Sequence, residues 1–450
     1  MKKYFVLAAA ALVALTACTK VEVPNTVETS KKIGFEIANY AAQTKAEGDP
    51  QALTNADDQM YKFHTYAYQF PDLGSAVEFM DTEIFAWNNG NPRAKVTSGT
   101  SIYSWAPEDD YYWPKTGYIN FYSYAANDPT NLYPTESVNP SKTEVTLTYS
   151  NKIIDENSNI LVADAALRFN ANQSRYAVDG TENATTPTHV TTGVPTLFRH
   201  MLSKLEMDVK IQIPANKVSS NTIWKVQVLD GYDIDGDSQI ADDEKSLIIP
   251  KNQGTLTLTN TDGLAADADL NTTTQGWMRK ADYTTSGTDD IDVVSGWKPG
   301  NTTEKIQLHQ ASALTLPVNS TVSTETLNLL AMRTVMPQLT DNVGFQLIYK
   351  VQAFHMVDDD NDASTDPVER MFMEEIRTIG LGDAADIHDL TGSIAQWQSN
   401  KKITYHIIID PVSEKVTFDP AVEEYGTVEA NSDNVININN GGIVVPPVNP

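Results

Sequence analysis

Cysteine is almost missing from this chain: Cys18 is the single one in 450 residues. A lone thiol can form neither an internal disulfide nor a thiolate metal site, which needs two to four such ligands. After the opening residues, no stretch approaches the ~18 consecutive apolar residues of a membrane-spanning helix. Positive charge is scarce too, with 32 Lys and Arg against 59 Asp and Glu, a formal net charge of −27. Phosphate binding needs clustered Lys and Arg, so nucleic acid and anionic lipid are poor partners. Catalytic signatures are also lacking: there is no HExxH, no GxSxG, no phosphate-cradling glycine loop and no dinucleotide fingerprint. The seven histidines, His64, His189, His200, His309, His355, His388 and His406, show no ligand spacing. The chain does not read as an enzyme, and the paired acids of a glycoside hydrolase are the one catalytic option left open.

The single cysteine stands where it can be used once. Lys2 and Lys3 precede an apolar run from Phe5 to Leu15, which fits a signal-peptide core and is too short to cross a bilayer. Leu15-Thr16-Ala17-Cys18 resembles a bacterial lipobox, in which the sulfur is acylated and the chain is cut before the cysteine. The alternative is an ordinary secretory leader with an incidental cysteine. Each buried CH₂ contributes about 0.8 kcal/mol, and stable anchoring takes more than one chain. Diacylglycerol and palmitate on Cys18 would therefore hold the protein at the outer membrane without a transmembrane helix. Residues 1–17 are expected as signal peptide and 18–31 as tether.

What remains has the pattern of an all-β protein. Strand-like runs occur at Lys32–Ile37, Phe63–Phe70, Tyr118–Tyr124, Glu144–Tyr149, Leu205–Ile213, Ile223–Leu229, Gly254–Leu258, Glu304–Leu308, Val343–Val351, Ile403–Ile409 and Lys415–Phe418. "LEMDVKIQI" alternates apolar with polar, so one face is buried and the other wet. Gly, Pro, Asn, Asp, Ser and Thr fill the gaps, as turns require. Only "EEIRTIGL" and "LFRHMLSKL" carry helical spacing. Many short strands with polar turns predict β-sandwiches. The expected division is a first domain over 32–198, a second over 199–420 and a tail over 421–450. Trp105, Tyr112, Trp113 and Tyr118 are read as core rather than as a sugar-stacking platform, since each aromatic buries about 150–250 Å². His200 is read as a hydrogen-bonded structural residue.

Several blocks together carry a resemblance. Trp105, "YYWP" at Tyr111–Pro114 and "YINFYSYAA" at Tyr118–Ala126 resemble the aromatic block of the Bacteroidetes fimbrillin-like proteins, the subunits of type V pili. "ILVADA" at Ile160–Ala165, "LFRHMLSKLEMDVKI" at Leu197–Ile211, "VMPQL" at Val335–Leu339 and "WQSNKKITYHIIID" at Trp397–Asp410 follow in that family's order. The resemblance implies two stacked transthyretin-like β-sandwich domains. It also implies export as a lipoprotein to the outer membrane and assembly with other fimbrial subunits. In the family a trypsin-like protease removes the first strand with its lipid. The matching position here is Lys45 before Ala46, where the best-known members have arginine, and Arg93 lies too far downstream to serve.

Assembly by strand exchange needs a vacancy and a donor. The vacancy would come from Ile33–Ile37. For the donor, Val435, Ile436 and Ile438 alternate with asparagine, and Ile443, Val444 and Val445 follow a Gly-Gly joint before prolines that cannot donate ladder hydrogen bonds. A self-packed or disordered terminus is the alternative. Separately, Asp233, Asp235, Asp237, Gln239 and Glu244 fall on the ligand positions of an EF-hand loop, with Ser238 where that loop prefers glycine. Asp358, Asp360, Asp362 and Glu369 repeat the spacing more weakly. Ca²⁺ at either would be structural, and the other reading is a pair of solvated acidic turns. The second functional reading is the same fold kept as a monomeric surface lipoprotein that binds glycan, host protein or a partner pilin.

Overall fold

A computed structural model describes residues 31–37, 60–98, 102–171, 175–178, 189–190, 193–241, 244–261, 277–279, 296–310, 312–340, 343–358, 367–379 and 396–424. The described chain is all-β apart from two short helical turns. It opens with β1 (Phe35–Ile37), then β2 (Lys62–Phe70) and β3 (Val77–Trp87), which form an antiparallel hairpin. Pro71-Asp72-Leu73-Gly74 makes that reversal, Gly74 taking φ +113°, where an L side chain would be strained. There follow β4 (Ser104–Pro107), β5 (Tyr118–Ala126), one helical turn α1 (Pro129–Leu132), β6 (Thr135–Val138) and β7 (Glu144–Ile153). Next come β8 (Ile160–Ala163), β9 (Ala165–Phe169), β10 (Arg175–Val178), β11 (His189–Val190), β12 (Val194–Thr196) and β13 (Phe198–His200).

The remaining strands begin with β14 (Ser203–Ile211), β15 (Thr222–Val228), β16 (Leu247–Ile249), β17 (Gln253–Thr261), β18 (Trp277–Arg279) and β19 (Trp297–Pro299). They continue with β20 (Ile306–Gln307), β21 (Leu314–Leu316), β22 (Leu327–Val335), β23 (Gln338–Leu339) and β24 (Gly344–Val357). The last four are β25 (Val368–Ile379), β26 (Gln396–Trp397), β27 (Lys401–Asp410) and β28 (Lys415–Glu424).

The N-terminal part is built on one large sheet of order β11-β10-β18-β9-β5-β2-β3-β4-β1-β12, with β8 and β13 branching from β5. Strand β5 is buried along its whole length because both its faces are covered. Ile119, Phe121 and Ala125 enter a core with Phe35, Phe63, Trp105 and Phe198. Tyr122, Tyr124 and Ala126 enter a second core, closed by the sheet β19-β17-β7-β6 through Leu147, Tyr149, Leu256, Leu258 and Trp297. The C-terminal part is a sandwich: β22-β14-β27-β28 faces β20-β16-β24-β15-β21, with β25 laid against β24. Its core draws Leu205, Met207, Val209 and Ile211 from one sheet and Phe345, Leu347, Tyr349 and Val351 from the other.

Several expectations from sequence are corrected here. "LFRHMLSKL" forms β13 and β14 rather than a helix: the β13 backbone ladders with β8, and Arg199 holds buried Asp164 through two bonds of 2.7 and 2.8 Å. "EEIRTIGL" falls largely in β25, an antiparallel partner of β24. The division at 198/199 is crossed, because β17 pairs with β7 and β19 with β17, returning residues 253–299 to the N-terminal sheets. The tail expected over 421–450 begins later, since β28 runs to Glu424 in register with Lys401. Tyr112 is 42% exposed, whereas Trp105 is fully buried and Tyr118 nearly so.

Candidate functional site

The first strand is buried yet narrowly held. Ile33, Phe35 and Ile37 are 2–7% exposed, and the Phe35 ring meets Phe63 and Phe121 edge-on at 5.5 and 5.7 Å. Spacing by two puts all three on one face, as an extended chain must. On one side β1 runs parallel to β12 with Phe35 opposite Val194 and Ile37 opposite Thr196. On the other it meets β4 at one position, Phe35 opposite Trp105. Backbone bonds from Ile33 to Tyr111 (2.8 Å), from Val194 to Gly34 (2.8 Å) and from Trp113 to Lys31 (3.1 Å) complete the fastening. Gly193 lets the chains close up: a Cβ there would stand 2.9 Å from the Gly34 carbonyl oxygen. Withdrawing β1 would open a slot between β4 and β12 onto Phe63, Trp105, Phe121 and Phe198. Sequence reasoning found the strand but missed β12, whose parallel pairing across some 160 residues leaves no local signal.

Cys18, Lys45, Ala46 and the donor candidates Val435, Ile436, Ile438, Ile443, Val444 and Val445 lie outside the described residues. No described helix is long and apolar enough to cross a membrane. Arg93 is engaged in the turn after β3, its guanidinium 4.8 Å from the Trp87 ring centre and donating to Ser104.

The first acidic loop interrupts one edge of β24: β15 pairs with Tyr349–His355, β16 with Gly344–Gln346, and the described residues 230–241 and 244–246 bulge out between them. Asp233, Asp235 and Asp237 bring carboxylate oxygens within 4.8 Å of one another. Each also accepts loop amides, Asp233 from Gly236 (2.6 Å) and Ser238 (2.9 Å), Asp235 from Asp237, and Asp237 from Gln239. Ser238 takes φ +66°, the turn conformation that glycine usually supplies at this loop position. Glu244 does not join the three acids. Its carboxylate turns inward and accepts the N–H groups of Ile234 (2.6 Å), Ala241 (2.9 Å) and Asp235 (3.2 Å), which hold it below the ordinary carboxylate range. Gln239 contributes its N–H to the turn. In the weaker loop, Glu369 sits on β25 and pairs with Lys225 at 2.6 Å, so it is no twelfth ligand. Asp360 and Asp362 lie outside the described residues, and Asp358 follows the last residue of β24.

His200 is buried with Nδ1 3.3 Å from Asn159 Oδ1, as the structural reading expected. Burial first, and the Lys204 ammonium second, push its imidazole down to about 3.

No family model matches this chain, and no curated protein matches it either. Its structural neighbours are Bacteroidetes fimbrial and cell adhesion proteins. A fimbrial protein of Bacteroides vulgatus is 13% identical, with 88% of this chain and 99% of that one covered at a TM-score of 0.37. The C-terminally truncated tip fimbrial protein of Porphyromonas gingivalis is 7% identical, covering 88% and 100% at 0.28. The fimbrial anchor protein of the same organism is 8% identical, covering 89% and 98% at 0.25. At such identities and TM-scores the functional reading rests on the chain's own residues.

Proposed function

We propose that this chain is a subunit of a surface fimbria, a member of the fimbrillin-like family, exported as a lipoprotein through Cys18 and polymerised by strand exchange. The observation that carries the reading is β1: a three-residue strand whose side chains fill a core while its ladder is confined to one short parallel run and one antiparallel contact. An incoming segment with apolar residues two apart meets the same pockets that Ile33, Phe35 and Ile37 occupy. Ile436 with Ile438, or Ile443 with Val445, has that spacing. Cleavage after Lys45 by a trypsin-like protease would release β1 together with the lipid anchor.

Assembled subunits should run as a ladder on unboiled SDS gels, and mass mapping of the mature N-terminus should find Ala46. Deleting residues 434–450 should leave a folded subunit that does not elongate. Continued polymer growth by that deletion would reject the donor role. Persistence of monomers with acylated Cys18 would instead favour a tethered monomeric binder.

For the acidic loop the proposal is a structural Ca²⁺ site made of Asp233, Asp235 and Asp237. Without a bidentate twelfth ligand, affinity belongs to the weak class of about 10⁻⁴–10⁻³ M found in extracellular modules. Millimolar Ca²⁺ should raise the melting temperature, and replacing the three aspartates by asparagine should abolish the shift. No calcium effect on wild type would end this idea.

A further inference from the structure

Away from the β1 slot and the acidic loop, the N-terminal part carries an open cleft of about 610 Å³ between the β5–α1 turn and the end of β7 with the connection to β8. That is within the ~300–1,000 Å³ of small-ligand sites. Its walls are mainly amide, hydroxyl and carboxylate side chains, with half of Ile153 or more (61%) exposed at the same site. The cleft is held open by its own bonds. Asp128 caps α1 by accepting the Asn131 N–H and side-chain amide. Asp155 accepts from the Asn157 N–H (3.0 Å) and the Ser158 hydroxyl (2.9 Å). Asn127 spans the two walls, accepting the Asn159 N–H at 2.9 Å and donating to the Asn157 carbonyl.

These commitments decide what the cleft can take. Lys152 is its one cation and donates to the Asn131 carbonyl at 2.7 Å, with two carboxylates in the same lining, so an anion finds little. Both carboxylates are spent on neighbouring donors, so a metal finds no free pair. Leu132 is buried, which leaves Ile153 as the one exposed apolar side chain of the lining, set among polar groups that a wholly apolar ligand would leave unpaired. What remains unused is neutral: the Ser150 hydroxyl and the Asn157 side-chain amide have no partner among the described residues. Asn157 can donate and accept, Ser150 likewise.

We propose that this cleft binds a neutral glycan, whose hydroxyls bond to Asn157 and Ser150 while a C–H face of the sugar ring lies on Ile153. Cyclic polyols carry that combination of hydroxyl edge and apolar face. The test is saturation-transfer NMR of the intact protein with lacto-N-tetraose, N-acetyllactosamine and mannotriose, and with 3′-sialyllactose as the anionic arm. At least one neutral sugar should give saturating transfer in the millimolar range. Asn157→Ala with Ser150→Ala should weaken it by about tenfold, the loss of 1.4 kcal/mol, with melting temperature unchanged since neither side chain bonds within the fold. Ile153→Asp should weaken it independently. Absence of transfer from every neutral sugar, equal binding by the variants, or binding of the sialylated sugar alone would each overturn the proposal. The same variants should still form the SDS-resistant ladder, so failure here is separable from failure of the assembly reading.

Discussion

Phe35 is the residue on which the assembly reading turns. A buried phenylalanine trimmed to alanine costs about 3–5 kcal/mol where the cavity cannot collapse, and two edge-on aromatic neighbours line this one. Phe35→Ala should lower the denaturation midpoint of the uncleaved protein, while Tyr103→Ala, at an exposed position, should leave it unchanged. Gly193→Ala should loosen β1 without touching any apolar contact, because the added methyl meets the backbone of residues 34 and 35; faster amide exchange at Phe35 and Ile37 is the readout. His200 sets a different dependence. Its folded pKa, about 3, lies below the ordinary 6.5. The unfolded chain therefore binds its proton first, so this contribution is complete above about pH 6.5 and declines as pH falls from there toward 3. His200→Asn should flatten the stability profile over that window, and an unchanged slope would disprove the assignment.

Individual strands were largely legible. Leu205, Met207, Val209 and Ile211 announce β14 by strict alternation, and all four are buried in one core. β25 was not legible, for a physical reason. It is an edge strand exposed along most of its length, so its sequence never had to alternate, and a bulge opposite Ala353 and Phe354 breaks the period further. Ile376 and Ile379 then mimic helical spacing. The return of β17 to β7 was hidden too, since Leu258 and Leu147 face each other across more than a hundred residues. In the acidic loop the spacing found the three converging aspartates but could not tell that Glu244 would serve the backbone. That role is testable. With its pKa depressed below 4.5, Glu244 should protect the amides of Ile234 and Ala241 above that pH. Protection should fade as pH drops through the lowered value, and Glu244→Gln should reduce it at neutral pH.

At the scale of the whole molecule, a charge of −27 makes copies of this chain repel one another. Salt shortens the reach of that repulsion, to about 10 Å at 0.1 M. Polymer growth should therefore quicken as ionic strength rises from low to physiological, measured as ladder formation against time; slower growth in salt would mean that attractive charge pairs govern the encounter. The threading of the chain has a mechanical corollary. The backbone passes from the N-terminal sheets to the C-terminal sandwich between β13 and β14, comes back before β17, and crosses again after β19. Trp297 adds a 2.7 Å tie to the Met201 carbonyl at that junction. In the proposed filament, tension would thus divide among three covalent crossings instead of one hinge. Parting the two halves would load all three crossings together, and two of them pull on the β17–β19 segment, which the β7 ladder fastens into the N-terminal sheets.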